Sequence, residues 1–248
     1  MLNERQIGIL KLLGENDQTT VNFLSGLLGV SSATIRQDLK FLESEGLVRR
    51  VHGGAVLQDA DDLSNRLGFN YEKKLRIARK AATLVSEGET ILIESGSTNA
   101  LLARELSKKK NITLVTTNVY IARQLRSGDQ AGIILTGGSY QPSSESLVGK
   151  ITKASLDLLN FDKAFIGIDG YTTDTGFTLR DMFRAEISCH IIKKASETII
   201  VTDSSKFGKT GLTSIGYPSD IKKIATDYDL EDIYIEAFTK AGIELILA

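Results

Sequence analysis

Cysteine, proline and histidine are nearly missing from this chain. One cysteine, Cys189, and two histidines, His52 and His190, in 248 residues allow no disulfide within the chain and make a Cys/His metal site untenable. A lone thiol fits a reducing compartment, so a cytoplasmic protein is expected. Two prolines, no low-complexity tract and no internal repeat exclude repetitive or biased architectures. No apolar run approaches the about 18–20 residues of a membrane span. The opening residues Met1 to Gln6 lack the basic-then-apolar pattern of a signal peptide, so no membrane partner is expected. A net charge of −1 argues against coating nucleic acid without regard to sequence. Hydrophobic content of 42% and charged content of 25% describe an ordinary globular chain, long enough for a small domain plus a medium one.

The most telling stretch is Val30-Ser31-Ser32-Ala33-Thr34-Ile35-Arg36-Gln37-Asp38-Leu39, followed by Arg49-Arg50-Val51-His52-Gly53-Gly54-Ala55. Ile7, Leu10 and Leu13, with Ile9 and Leu12 alongside, predict a first helix ending near Gly14. Thr19 and Thr20 can cap a second helix with Val21, Leu24, Leu27 and Leu28 on its apolar face, and Gly29 supplies the turn. A third helix begins after Ser31 or Ser32, with Ile35, Leu39 and Leu42 inward and Arg36, Gln37 and Lys40 on other faces; Gly46 stops it. Residues 47–51 and 55–57 read as two short strands turned by Gly53-Gly54. Three helices and a basic hairpin predict a winged helix-turn-helix, which would place its third helix in the major groove of double-stranded DNA; the plainer alternative is a small helical domain with a solvated basic loop. The expected DNA-contacting residues are Ser31, Ser32, Ala33, Thr34, Arg36, Gln37 and Lys40 on the helix and Arg49, Arg50 and His52 on the wing. Residues 1–57 nevertheless carry six cations and six acids, so any DNA affinity must come from placement; four of the cations lie between Arg36 and Arg50.

Residues 58–69 are polar and acidic and read as a linker. From Asn70 a helical pattern leads into alternating elements: strands near 90–94, 112–116, 132–135, 163–168, 197–202 and 223–226, and helices near 99–107, 118–126, 149–159, 181–195 and 231–241. This predicts an α/β domain over 70–248 built on a mostly parallel sheet. Ligands of such sheets collect at the carboxyl ends of strands. Five of those ends are polar and small: Glu94-Ser95-Gly96-Ser97-Thr98-Asn99, Thr116-Thr117-Asn118, Thr136-Gly137-Gly138, Gly167-Ile168-Asp169-Gly170 and Asp203-Ser204-Ser205-Lys206. Any one could be an ordinary helix cap. Together they describe a polar pocket with one cation, and Ser95–Asn99 opens a helix whose N–H groups suit an anion. The Walker lysine is absent.

These segments resemble the DeoR/GlpR family of bacterial sugar-metabolism regulators. Arg5, Ile9-Leu10, Val30-Ser31, Thr34-Ile35-Arg36, Asp38-Leu39, Leu42-Glu43, Gly46, Arg50 and His52-Gly53-Gly54-Ala55 match its DNA-binding end. Glu94 through Thr98, Thr117-Asn118, Gly137-Gly138 and Ser205-Lys206-Phe207-Gly208 match its effector domain. Gln37 stands where the family commonly has a second arginine, and Glu94 and Ser97 where aspartate and threonine are usual. The resemblance implies a repressor that binds operator DNA as a homodimer or homotetramer and responds to a phosphorylated sugar. The sugar phosphate would touch Ser95, Gly96, Ser97, Thr98, Asn99, Thr117, Asn118, Gly137, Gly138, Asp169, Glu186 and Lys206. Ser95 to Asn99 would take the phosphate, with Lys206 as a second contact and Asp169 or Glu186 near the hydroxyls.

The family's effector domain is similar in fold to ribose-5-phosphate isomerase, so an isomerase fused to a DNA-binding domain is the alternative. Against that enzyme's pattern, Asp169-Gly170, Glu186 as a base and Lys206 match. Its second acidic cluster is replaced by Tyr171-Thr172-Thr173, and its lysine- and glycine-bearing segment by Phe177 to Met182. Proton transfer between carbons needs both a base and an electrophile. Binding without turnover, with no cofactor, metal or catalytic residue, is the expectation.

Overall fold

The computed structural model describes residues 2–15, 19–44, 47–57, 63–125 and 131–248, and the chain divides into a unit ending at Tyr71 and a second from Glu72 to Ala248.

In the first unit α1 (Glu4–Glu15), α2 (Val21–Leu28) and α3 (Ser32–Ser44) surround a core of Ile9, Leu10, Leu13, Val21, Leu24, Ile35, Leu39 and Leu42. The three-and-four spacing puts each set on one helix face. Thr20 caps α2, its Oγ1 accepting the Phe23 N–H at 3.2 Å, and Ser31 caps α3 through the Thr34 N–H at 3.1 Å. Of the two serines open as caps, Ser31 is the one used. Leu27, expected on the inner face of α2, is 57% exposed; Val21 and Leu24 already fill the space toward the core. The Gly46 stop lies outside the described residues.

β2 (Val48–Val51) and β3 (Gly54–Leu57) form the expected hairpin, antiparallel with Arg50 opposite Ala55. A strand the sequence did not announce, β1 (Thr19–Thr20), pairs with the other edge of β3. This explains Gly54: a Cβ there would lie 2.2 Å from the Thr19 carbonyl oxygen. Gly53 alone takes the positive φ of the turn, 75°. The expected linker also changes. Residues 58–62 lie outside the described residues, but α4 (Leu63–Gly68) packs on α1, with Leu67 buried and Gly68 against the Leu10 side chain. Those six residues belong to the first unit because apolar contact holds them there.

All but the first residue of α5 (Tyr71–Ala82) belongs to the second unit. The sheet of this unit contains β4 (Thr90–Ile93), β5 (Ile112–Thr116), β6 (Ala131–Leu135), β9 (Lys163–Ile166), β12 (Thr198–Val201), β14 (Lys223–Thr226) and β15 (Glu244–Leu247). All seven run parallel in the order β15-β14-β12-β9-β4-β5-β6. In β4, Ile91 and Ile93 face one side and Leu92 the other, and all three are buried; strands covered on both faces need no alternation. The connecting helices are α6 (Ser97–Leu106), α7 (Val119–Gln124), α8 (Lys150–Asp157), α9 (Met182–Lys194) and α10 (Asp232–Lys240).

The expected strands and helices are all present, with ends shifted by at most two residues. Not expected were β15, the hairpin of β7 (Ser139–Gln141) with β8 (Ser146–Val148), and the antiparallel β10 (Gly170–Thr172), β11 (Gly176–Leu179) and β13 (Thr213–Gly216). The latter three carry Tyr171, Phe177, Leu179 and Ile215 into the core. There Tyr171, Phe177, Phe207, Tyr234 and Phe238 pack against one another in tilted, edge-on and stacked pairs with centroids 4.7–6.1 Å apart. Phe207 thereby anchors the turn that follows β12.

Candidate nucleic-acid interface and ligand site

On α3 the residues Ala33, Arg36, Gln37 and Lys40 are exposed and recur at three- and four-residue spacing, so they form one outward stripe. Ser31 is exposed at the cap, while Ser32 and Thr34 are half-buried. Asp38 faces the opposite way, 4% exposed. It accepts hydrogen bonds from Arg5 Nε at 2.5 Å, Arg5 Nη2 at 3.2 Å and Gln6 Nε2 at 3.2 Å. That inward carboxylate pins α1 to α3 and removes the only acid that α3 carries in its first two turns. Arg5 and Asp38 matched the family pattern as letters; their pairing was not foreseen.

The wing residues divide. Arg50 Nε bonds to Glu43 Oε2 at 2.6 Å, and the Arg50 N–H bonds to Glu43 Oε1 at 3.1 Å. These bonds hold the Glu43 carboxyl below its usual pKa, and Arg50 ties the wing to the third helix. Arg49, one residue earlier, points to the other face of β2 and is exposed, as is His52 at the hairpin tip. Among the described residues Arg36, Gln37, Lys40 and Arg49 have no side-chain hydrogen-bond or ion-pair partner.

In the second unit Ser95, Ser97, Thr98, Asn99, Thr117, Asn118 and Asp169 are all buried at the carboxyl ends of β4, β5 and β9. Direct bonds join them. Asn118 Nδ2 donates to Ser95 Oγ at 3.0 Å and to the Ser144 carbonyl at 2.8 Å. Asn99 Nδ2 donates to the Ser95 and Phe165 carbonyls at 3.1 and 3.2 Å, while its Oδ1 is enclosed and accepts nothing among the described residues. The first helical bond of α6 runs from Ala100 N–H to Gly96 O, so the N–H groups of Ser97, Thr98 and Asn99 precede it and are those a helix start offers to an anion. Lys206 ends the short turn after β12, two strands from β4, and is half-buried.

Three expected contacts have other partners. Glu186 is exposed on α9 and pairs with Lys153 of α8 at 2.5 Å. Gly137 and Gly138 serve the docking of α8: a Cβ on Gly138, whose φ is +147°, would lie 2.0 Å from Thr152 Oγ1. Thr152 Oγ1 also donates to the Gly137 carbonyl at 2.9 Å.

The unforeseen centre of this region is the pair Glu94–Arg184, 1% and 4% exposed. Arg184 Nε and Nη2 reach Glu94 Oε1 at 3.3 and 3.1 Å, and Nη2 reaches Oε2 at 3.3 Å. Burial pushes the Glu94 carboxyl above its ordinary value against the pull of Arg184. Burial draws the Arg184 guanidinium down, but Glu94 and Asp169 more than offset this and hold it raised. A signal existed: Arg184 lies at helical spacing with Ile187 and Ile191, both buried, so a cation there had to meet an acid inside. Asp181 caps α9 through the Arg184 N–H at 2.7 Å and accepts Gln141 Nε2 at 3.0 Å, bringing β7 to the same rim. A separate cavity of about 360 Å³, lined by Thr90, Asn160, Phe161, Asp162, Lys194 and Ser196, opens at the opposite, amino ends of the strands. Its polar groups are engaged: Asp162 accepts the Thr90 N–H, and Lys194 donates to the Asp157 carbonyl. No helix among the described residues is long and apolar enough to cross a membrane, and no cluster there could hold a metal ion.

Comparison with known proteins covers both units. Residues 5–61 match the DeoR-like helix-turn-helix domain, and residues 69–228 match the DeoR C terminal sensor domain. The chain is 32% identical to the HTH-type transcriptional regulator GolR of Listeria innocua, over 99% of this chain and 98% of that protein. It is 31% identical to a putative aga operon transcriptional repressor of Escherichia coli, over 99% and 93%. It is 29% identical to the glycerol-3-phosphate regulon repressor of Escherichia coli, over 98% of each. Among solved structures, ribose 5 phosphate isomerase A of Neisseria gonorrhoeae overlaps 54% of this chain and 52% of its own at 20% identity and a TM-score of 0.40, a likeness too slight to argue from.

Proposed function

The chain belongs to the DeoR family of transcriptional regulators, and on that premise we propose that it represses carbohydrate genes by reading an operator with α3, under control of a phosphorylated sugar held at the strand ends. The observation that carries the DNA reading is the stripe Ala33, Arg36, Gln37 and Lys40. Its charge is positive although residues 1–57 balance, because Asp38 is turned inward onto Arg5 and Glu43 is occupied by Arg50. Arg36 and Gln37 contact base edges, where an arginine suits guanine and an amide suits adenine. Arg49 and His52 contact the backbone from the wing, while Arg50 supports the wing through Glu43. A single head reads few base pairs, so a homodimer or homotetramer binds the operator. The protein acts in the cytoplasm.

The ligand's phosphate takes the start of α6 at Ser95–Asn99, with Lys206 as a second cation, and Asp169 accepts from its hydroxyls. Relatives named for the glycerol-3-phosphate regulon and the aga operon support this ligand class. Turnover is not part of the reading, since the candidate base Glu186 is engaged by Lys153 away from these residues. Ligand binding shifts the operator equilibrium only as far as it favours one arrangement of the heads. The test is fluorescence anisotropy of operator DNA with the full chain, with and without pentose and hexose phosphates. A change in operator affinity with a phosphate ester but not with the parent sugar is expected. Equal effects of sugar and ester refute the anion site, and conversion of any ester in a coupled assay refutes the non-catalytic reading.

A further inference from the structure

We propose that Asp227 and Lys73 form the relay that carries occupancy of the strand-end site to the DNA-binding unit, with Lys73 passing from Asp229 to Asp227 when a ligand draws the turn after β12 away. The inference rests on the sugar-phosphate reading above.

Asp227 directly follows β14, and its side chain is 1% exposed. Its Oδ2 accepts the Ser204 N–H at 2.7 Å, and its Oδ1 accepts Ser204 Oγ at 2.8 Å and the Asp229 N–H at 3.2 Å. One buried carboxylate therefore holds the turn Ser204–Lys206, which carries the second cation of the phosphate reading. The same Oδ1 lies 3.6 Å from Lys73 Nζ on α5, and that ammonium rests 2.5 Å from Asp229 Oδ2. The bond to Asp229 holds Lys73 above its ordinary pKa, so the ammonium stays charged. Burial of Lys74, Ile77, Ala78, Ala81 and Ala82 seats α5, whereas Lys73, 33% exposed, stands between the two carboxylates. The boundary between the units falls inside the first turn of this helix: Tyr71 ends the first unit, two positions before Lys73.

Two arrangements of the ammonium follow. With Ser204 in place Asp227 is well supplied with donors, and Lys73 stays on Asp229, which is 67% exposed. An exposed pair of that kind is weak and exchanges at little cost. A phosphate that pulls Lys206 and its turn toward the ligand withdraws the Ser204 donors. A buried carboxylate stripped of donors is costly, and Lys73 is the cation within 4 Å of it. Lys73 then moves onto Asp227 and takes the first turn of α5, and with it the chain leading to the heads. The ligand thereby favours one of two states of a defined element, which is what a shift of the operator equilibrium requires.

The test combines fluorescence anisotropy of operator DNA with calorimetry of pentose and hexose phosphates, all on the full chain. In the parent, saturation with the active ester should change operator affinity by about fivefold or more. Lys73→Met should keep ester affinity, and operator affinity without ester, each within about threefold of the parent, while the ester-induced change shrinks to about twofold or less. Lys73→Arg, which keeps the charge and the reach, should restore the change. Ser204→Ala removes one donor from Asp227 and should shift operator affinity without ester toward the parent's ester-bound value by about twofold or more. A Lys73→Met protein that responds as fully as the parent overturns the inference and leaves the sugar-phosphate reading standing. So does a fall in ester affinity as large as the loss of response, which would make Lys73 a support of the site. If no ester binds the parent, the reading and the inference fall together; if an ester binds without changing operator affinity, the relay falls. Unchanged operator affinity in Ser204→Ala overturns the relay even where Lys73→Met fails to fold.

Discussion

Replacing Arg184 with methionine should destabilise the second unit by about 3–5 kcal/mol, the usual consequence of removing one partner from a buried ion pair. Methionine fills most of the space of the arginine stem, so packing is largely kept and the charge is what is lost. Glu94, 1% exposed, would then hold a carboxylate with its three bonds of 3.1–3.3 Å to the guanidinium gone. Against a typical total stability of about 5–15 kcal/mol, this is a large share and lowers the melting point by about 10 °C. The pH dependence follows from Glu94, whose carboxyl already lies above its ordinary value. A carboxyl raised in the folded state contributes stability that is present at low pH and is lost as pH rises through the folded value. Losing Arg184 raises it further, so the deficit against the parent should be smallest near the acid end of the working range and grow toward pH 8. Glu94→Gln/Arg184→Met, which buries no charge, should recover most of the loss. Urea unfolding of the parent, single and double variants at low and high pH is the assay. If the single and double variants unfold at the same urea concentration, or the deficit does not change with pH, the buried carboxylate is not the cause.

Three further outcomes are expected. Arg36→Ala should weaken operator binding by about 1–3 kcal/mol and relax base preference, whereas Arg49→Ala should weaken binding to all sequences and lower the salt slope by about one unit; equal selectivity in Arg36→Ala and the parent, measured over a set of altered operators, would remove α3 from the major groove. Ser97→Asp puts a negative charge at the start of α6 and should abolish the response to phosphate esters while operator affinity stays at the parent value; titration calorimetry showing undiminished ester binding defeats the anion assignment. Gly138→Ala must place a Cβ 2.0 Å from Thr152 Oγ1 at a φ of +147°, so it should cost about 1–3 kcal/mol or more, and Thr152→Ala should restore only part of that, because the backbone strain remains; a neutral Gly138→Ala in thermal unfolding would show that α8 is not seated on this glycine.

Local regularities made much of the molecule legible. Ile35, Leu39 and Leu42 recur at helical spacing, and Ser31 and Thr20 are caps by their own chemistry, so the helices of the first unit and the orientation of α3 could be read directly. The inward placing of Asp38, three residues after Ile35, was legible in the same spacing, but its partner Arg5 lies 33 positions away and no local rule names it. Six of the seven parallel strands announced themselves by dense β-branched and aliphatic runs, and β15 at the sheet edge did not. The short strands β1, β7, β8, β10, β11 and β13 did not, because two to four residues carry too little periodicity and gain a ladder only from partners elsewhere in the chain.

The candidate ligand site divides along the same line. Its small polar residues sit next to strands in the sequence, so Ser95 to Asn99, Thr117-Asn118 and Asp169 could be named as candidates from position. Which of the named residues converge was decided by packing: α9 turns Arg184 inward to Glu94 and Glu186 outward to Lys153, two residues apart on one helix. Likewise Gly137-Gly138 reads as a strand end open to a ligand until α8 is seen lying on it. By itself the sequence determined the helices, the six dense parallel strands, their order and the chemistry at strand ends, because these follow from backbone propensity and nearest neighbours. Tertiary structure alone decided which charges neutralise one another, and so which face of α3 is positive and which acid meets Arg184, because a charge is paired only by what the fold brings within a few ångströms of it.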